Sequence, residues 1–480
     1  MNKRITSLLL FTSLLLASCG GGAPAETTAA DTGDTTAAAP TDPYNYPAID
    51  LGGGELHILN SSTTWGFHTT IDLESATGDV LDDVIYNRNR DFEERFNLKL
   101  NVTQASINDT AEMARTTILA GDDVYDACWL RGDLISSVVT EGLAADLSDI
   151  DALQLSEPWW DQSVMEGGSI TKDGSICIAS NNICLMGLGG SVCVFINESM
   201  MEDLKLNKPY DLVRSGKWTL DALRTYTKAG ANLNGADSFD YIPDKDTTYG
   251  LVTWYDGIEA LCIGAGWRYI GKENGEPVLV AGDEHFHNVA AKVASLVTAA
   301  GEFCEINNRT ENKHYELAFQ GSRSLMMIAE LKAASGLRSF NDTFGIVPTP
   351  KYDESQKDYC TFVSSAQSLM CIPVTVADKE ETGALIDTLA YLSYRDVLPV
   401  FYETTVEQKE LRNDDSIEML DIIRDARYFD TAYAYGWTNY NTRENVRKAL
   451  KTGDGSVASA LASIAPGIET KIAATLDMLK

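Results

Sequence analysis

Between Glu55 and Gly142 short apolar runs alternate with segments of helical spacing, and this alternation limits the fold more than any other feature. Glu55 to Asn60 is a compact apolar run behind three glycines. Asp79 to Leu98 places Val80, Val84, Ile85, Phe92 and Phe96 at helical intervals. Leu98 to Thr103 alternates as a strand does, Asp109 to Ala120 reads as a helix, Val124 to Leu130 as a strand, and a further helix stops at Gly142. Parallel strands need a crossover between them, usually a helix. The pattern therefore implies crossover units and a largely parallel sheet, an α/β lobe.

The character changes after Trp159-Trp160. Ser175 to Asn197 holds three apolar runs, ICIAS, NICLMG and SVCVFIN, which read as strands of a second sheet. A helix is expected from Thr219 to about Ala229, then a polar loop from Asn232 to Asp246, and an apolar, aromatic stretch from Tyr249 to Ile270. Phe286 to Ala300 reads as helical, as does the C-terminal part, with a break at Gly453 to Gly455. Two α/β lobes joined by several crossings follow, and ligands of such sheets bind at the carboxyl ends of strands.

The 480 residues carry 70 acidic against 38 basic side chains, a net charge of −32, which argues against nucleic acid and anionic lipid as partners. At the start, Lys3 and Arg4 precede the apolar run Ile5 to Leu16, and Leu16-Ala17-Ser18-Cys19 follows. This resembles a bacterial lipoprotein signal, 1–18, with Cys19 as the acylated residue that anchors the chain to the outer face of the membrane. Residues 19–50 are rich in Gly, Ala, Thr, Asp and Pro and read as a flexible linker. Eight further cysteines lie largely in apolar runs with no Cys-x-x-Cys spacing, and read as buried free thiols rather than disulfides.

Catalytic and metal signatures are missing from the sequence. It has no Gly-x-Ser-x-Gly elbow, no His-Glu-x-x-His, no phosphate-cradling glycine loop and no dinucleotide fingerprint. His285 and His287 sit two apart at a helix start, a poor spacing for a shared metal, and read as solvent-facing. The stretch Asp244 to Gly250 has its glycine and closing acid misplaced for a calcium loop. No enzyme activity, metal or cofactor is expected.

Four segments carry a family resemblance. AGDDVYDACWLRGDLISSVVTEGLAADLSD, SVCVFINESMMEDLKL with GKWTLDAL, AFQGSRSLMM, and FGIVPTPKYDESQKDY resemble, in family order, motifs of the extracellular solute-binding proteins of ABC importers, in the carbohydrate-binding branch that includes maltose-binding protein. The resemblance implies a two-lobed periplasmic-binding-protein-like fold, each lobe a mixed sheet flanked by helices, joined by a multi-strand hinge. It assigns 51–157 and 362–412 to one lobe, 158–361 and 413–480 to the other. The implied partners are a carbohydrate, expected as an oligosaccharide, and the permease's transmembrane subunits, with the protein a monomer.

Sugar sites combine flat aromatics for C–H faces with charged or amide groups for hydroxyls. Candidates just past strand ends are Trp65, then Trp129 and Arg131 with Asp133 beside them, and Trp254-Tyr255, where the family supplies an aromatic contact. Glu330 stands where a relative often carries an aromatic, a departure that leaves that contact open. Tyr435 and Trp437 would close over the cleft. For every tryptophan here packing is the alternative, and Trp218 reads as structural. Trp159-Trp160 reads as either a hinge entrance or a packed plug between lobes. The rival to transport is a surface lipoprotein that binds or senses glycans, and behind it a carbohydrate-active enzyme.

Overall fold

The expected helices form where their ends are fenced. Asp79 caps the helix Val80–Phe96, its carboxylate accepting from the amides of Leu81 and Asp82, and Asn97 closes it in the left-handed region at φ 46°. Thr219 caps Leu220–Gly230 in the same way, and Asp283 caps Glu284–Val297. His285 and His287 lie exposed in the first turn of that last helix, as expected.

The computed structural model describes residues 42–235, 247–299, 301–305, 314–337, 339–406, 414–452 and 456–479. The signal segment, Cys19, the linker up to residue 41, Asp244 to Asp246 and Gly453 to Gly455 lie outside them, as do the side chains of Cys304 and His314. Residues 1–45 and 46–480 are separate units. Of the first, 42–45 are described and have no regular structure. The second unit carries everything that follows.

Its strands are β1 (Gly54–Ser62), β2 (Leu98–Ser106), β3 (Ala127–Arg131), β4 (Val192–Asn197), β5 (Tyr249–Thr253), β6 (Ile270–Glu273), β7 (Glu276–Leu279), β8 (Phe303–Glu305), β9 (Ser324–Glu330), β10 (Phe344–Pro348), β11 (Thr361–Phe362), β12 (Ser368–Cys371) and β13 (Arg427–Tyr428). One sheet has the order β12-β3-β1-β2, with β1 parallel to both neighbours and β12 antiparallel at the edge. The other has the order β10-β4-β9-β5-β8, with β5 parallel to β8 and β9, and β4 antiparallel to β9 and β10. Helices flank both, giving the two-lobed mixed α/β architecture. Gly250 shows how closely they pack, since a Cβ there would collide with the Thr227 carbonyl of the helix lying on β5.

One expectation fails. Of the three runs between Ser175 and Asn197 only the last is a strand of the second sheet. Ala179 and Asn181 make isolated bridges to Met370 and Trp160, and Met186–Gly189 is a helical turn. The segment pairs with the first sheet at one point only, where Ala179 and Met370 of β12 exchange backbone hydrogen bonds, and it is buried throughout from Cys177 to Asn181, so burial makes it apolar without a strand of its own.

The chain leaves the first sheet after β3, returns for β12, and after the helix Leu398–Val406 packs again on β10 through Asp414–Asp425. The crossing segments meet: β11 pairs in parallel with β13, and Ser191 bridges Val363. Trp159 and Trp160 are buried. Both indole N–H groups donate to buried Asp387 of the helix Lys379–Leu392, at 3.0 and 2.8 Å, and Gln154 donates to the same carboxylate through its backbone and side-chain nitrogens, each at 3.0 Å. All seven cysteines whose side chains are described are free and buried.

Candidate functional site

Because β1 and β3 run parallel, their carboxyl ends lie side by side, and the loops beyond them form one wall. Trp65 stands 40% exposed on the loop after β1. Arg131, the last residue of β3, holds its guanidinium carbon 5.3 Å from the centre of the Trp65 ring. Its fork grips Asp133 at 2.5 and 2.9 Å, and its third arm donates to Asn108 at 2.7 Å. The guanidinium is thus paired by the protein's own carboxylate and needs no ligand to neutralise it. A charge-assisted, two-pronged bond of this kind fixes the arginine's orientation.

The second wall rises from β9 and β5. Glu330 ends β9 and pairs with Lys332 at 2.8 Å. Lys332 reaches across to the first wall, donating to the Trp65 carbonyl at 2.8 Å with its ammonium 3.4 Å from the centre of the Phe67 ring. Beyond β5, Trp254 stacks on Tyr315 with centroids 5.6 Å apart and planes 18° from parallel. Tyr255 meets Tyr440 edge to face at 5.7 Å, and the Arg447 guanidinium lies over both rings. Asp256 is bonded to Arg447 at 2.6 Å. Burial pushes the Asp256 carboxyl up to about 7 despite Arg447, and the neighbouring charges of Glu259 and Glu330 push the same way.

Trp65, Arg131, Asp133, Glu330, Trp254 and Tyr255 therefore sit on two walls joined through Lys332, each carrying aromatic faces beside ionic groups. Three other candidates are placed elsewhere. Trp129 is in mid-strand, paired with Asn60 on one side and Met370 on the other, and is 1% exposed. Tyr435 stacks on Trp437 at 5.2 Å, and both are buried. Tyr435 donates to the Gly168 carbonyl at 2.6 Å, and Trp437 to Thr475 at 2.9 Å. All three fill the interior rather than presenting a face, and Tyr435 and Trp437, each with its polar atom bonded inside, are stable core residues.

Sequence reasoning missed Phe67, Lys332, Asp256, Tyr315 and Arg447. Asp256 adjoins Trp254-Tyr255 and Lys332 lies just past Glu330, so a wider window around each strand end would have included them. Nothing local marks Arg447, which arrives from a C-terminal helix. Among the described residues no cluster of three metal-ligating side chains occurs, and no helix is long and apolar enough to cross a membrane.

Comparison with curated proteins finds no match. Among solved structures the chain is similar to the sugar-binding protein MalE from Xanthomonas citri, at 12% identity and a TM-score of 0.59, over 87% of this chain and 97% of that one. It is also similar to the extracellular solute-binding protein from Staphylococcus aureus solved in complex with maltose, at 14% identity and 0.56, over 87% and 98%. A third is RafE from Streptococcus pneumoniae, at 16% identity and 0.54, over 89% and 100%. At such identities the likeness is one of fold. The model of a sequence family, bacterial extracellular solute-binding protein, matches residues 88–392. Since that match takes in well over half of the sequence, the chain belongs to the bacterial extracellular solute-binding proteins.

Proposed function

We propose that this protein is the membrane-anchored solute-binding component of an ABC importer, and that it captures a carbohydrate, as an oligosaccharide, between its two lobes and hands it to the permease. The observation that carries the reading is the pair of walls at the carboxyl ends of β1 and β3 on one side and β5 and β9 on the other. Trp65 and Trp254 offer flat faces, while Arg131, Asp133, Glu330 and Asp256 offer hydroxyl partners, the combination that saccharide recognition requires. MalE from Xanthomonas citri is described as sugar-binding, and the Staphylococcus aureus protein was solved with maltose, which supports the same ligand class.

Residues 51–157 with 362–412, and 158–361 with 413–480, would form the two lobes, moving about the crossing segments as a hinge. Acylated Cys19 would hold this monomer at the outer face of the membrane through the linker 19–50. Thermal-shift measurements against a panel of neutral oligosaccharides test the ligand, and small-angle scattering should show compaction with the one that binds. Release of product from that sugar would favour an enzyme instead. Equal fatty-acid labelling of the wild type and Cys19→Ala would remove the anchor. Two permease subunits encoded beside this gene would favour import, and an adjacent sensor kinase would favour a glycan sensor.

A further inference from the structure

Lys332 ties the two walls through the tip of its side chain. Its ammonium meets Glu330 at 2.8 Å on its own side and donates to the Trp65 carbonyl at 2.8 Å on the other, with the centre of the Phe67 ring 3.4 Å away. A carboxylate, a carbonyl and a ring face thus surround one cation. The Lys332 and Glu330 side chains are each 11% exposed, so water and salt screen these attractions little. The floor beneath leaves room for the contact. A Cβ at Gly189 would come within 3.7 Å of Phe67 Cδ1 and 3.9 Å of Lys332 Cβ, and one at Gly190 within 3.6 Å of Phe67 Cε1. The loop after β1, the helical turn Met186–Gly189 and the segment after β9 therefore meet at one point.

Trp65 is held twice as a result. Arg131 lies against its ring and is itself fixed by Asp133 and Asn108, all of them in the loops and strand ends of the first sheet. Lys332 takes the backbone of the same residue from the second. The first hold keeps the ring on its own wall, whereas the second sets the distance between walls. The crossing segments meet through backbone pairing, which an opening cleft can leave in place, while a side-chain tip can let go. When only a fraction of molecules has the binding geometry, apparent affinity falls by that fraction, and a tie made of the protein's own atoms raises it. Resting on the two-walled reading of the site, we infer that Lys332 is a clasp: it fastens the Trp65 loop to the second wall and holds the cleft closed ahead of the ligand. It acts through Trp65, as a positioning residue.

The first test needs no ligand. Small-angle scattering of the full chain compares the wild type, Lys332→Met, which keeps the length and loses the charge, and Lys332→Arg, which can still bond the carboxylate and the carbonyl and lie on the ring. Lys332→Met should have the larger radius of gyration and Lys332→Arg should match the wild type; one radius for all three overturns the clasp. Lys332→Met strands the Glu330 carboxylate, so Lys332→Met combined with Glu330→Gln, and separately Phe67→Leu, carry the same expectation of expansion should the single variant not fold. The second test titrates the saccharide that binds best. Lys332→Met should bind it about tenfold more weakly, equivalent to about 1.4 kcal/mol, and Lys332→Arg should come within about twofold of the wild type. Unchanged affinity in a folded Lys332→Met overturns the positioning role even if the radius grows. Should no saccharide bind the wild type, the sugar reading fails, and the scattering comparison alone upholds or overturns the clasp.

Discussion

Trp65 and Trp129 divide the two roles a tryptophan can take. Trp65→Ala should weaken saccharide binding several-fold while leaving the melting temperature of the empty protein within a degree or two, because its ring is 40% exposed. Trp129→Ala should remove about 3–5 kcal/mol of stability by opening a cavity in the sheet. Urea titration with calorimetric binding separates the two, and a Trp129→Ala protein of unchanged stability would return that residue to the cleft. From the sequence, Trp129 with its polar neighbours Arg131 and Asp133 is the stronger ligand candidate of the two, whereas in the structure Trp65 is the exposed one. One residue's shift along β3 decides whether a ring faces water or the interior, and strand ends are the least legible part of a pattern. Asp256 adds a pH signature. Its folded carboxyl titrates near 7 and its unfolded one near 3.8, so the stability tied to its proton is fully present below about pH 4 and is lost as pH rises through 7. Asp256→Asn should flatten that decline in urea midpoint; an unaltered slope would assign it to other groups.

Among the elements, helices and the strands of parallel units were legible because caps and periodicity are local. What remained hidden depended on distant partners. Asp387 is the example: within its helix it looks like one more surface acid, yet it is buried and takes both indole donors from the Trp159-Trp160 pair 228 and 227 residues away. Asp387→Leu should leave those indoles and Gln154 unpaired. At about 1–3 kcal/mol for each buried group, the loss should reach several kcal/mol and loosen the crossing region. Native-state hydrogen exchange at Trp159 and Trp160 would register it, and unchanged protection would show that packing alone holds the two rings. The run Cys177 to Leu185 was misread for the same reason, since its partners Met370 and Trp160 lie far from it in sequence or outside any sheet.

For the whole molecule, the two-lobed class could be read from alternation and family motifs, whereas the meeting of walls and crossing segments could not, because it depends on three passages of the chain. The edge position of β12 has a consequence in time. β3 is synthesised early but meets its antiparallel neighbour β12 only when residues 368–371 exist. Until then it keeps an open edge, and the closing contact, Trp129 to Met370, spans 241 residues, about half of the chain, which slows folding through loop-closure entropy. A permuted chain that places the β12 segment ahead of β1 should refold faster in stopped-flow fluorescence, and equal rates would show that another step limits. The first sheet therefore cannot be completed until two lobes' worth of chain has been made, and β3 must wait unpaired on that side until residue 371 arrives.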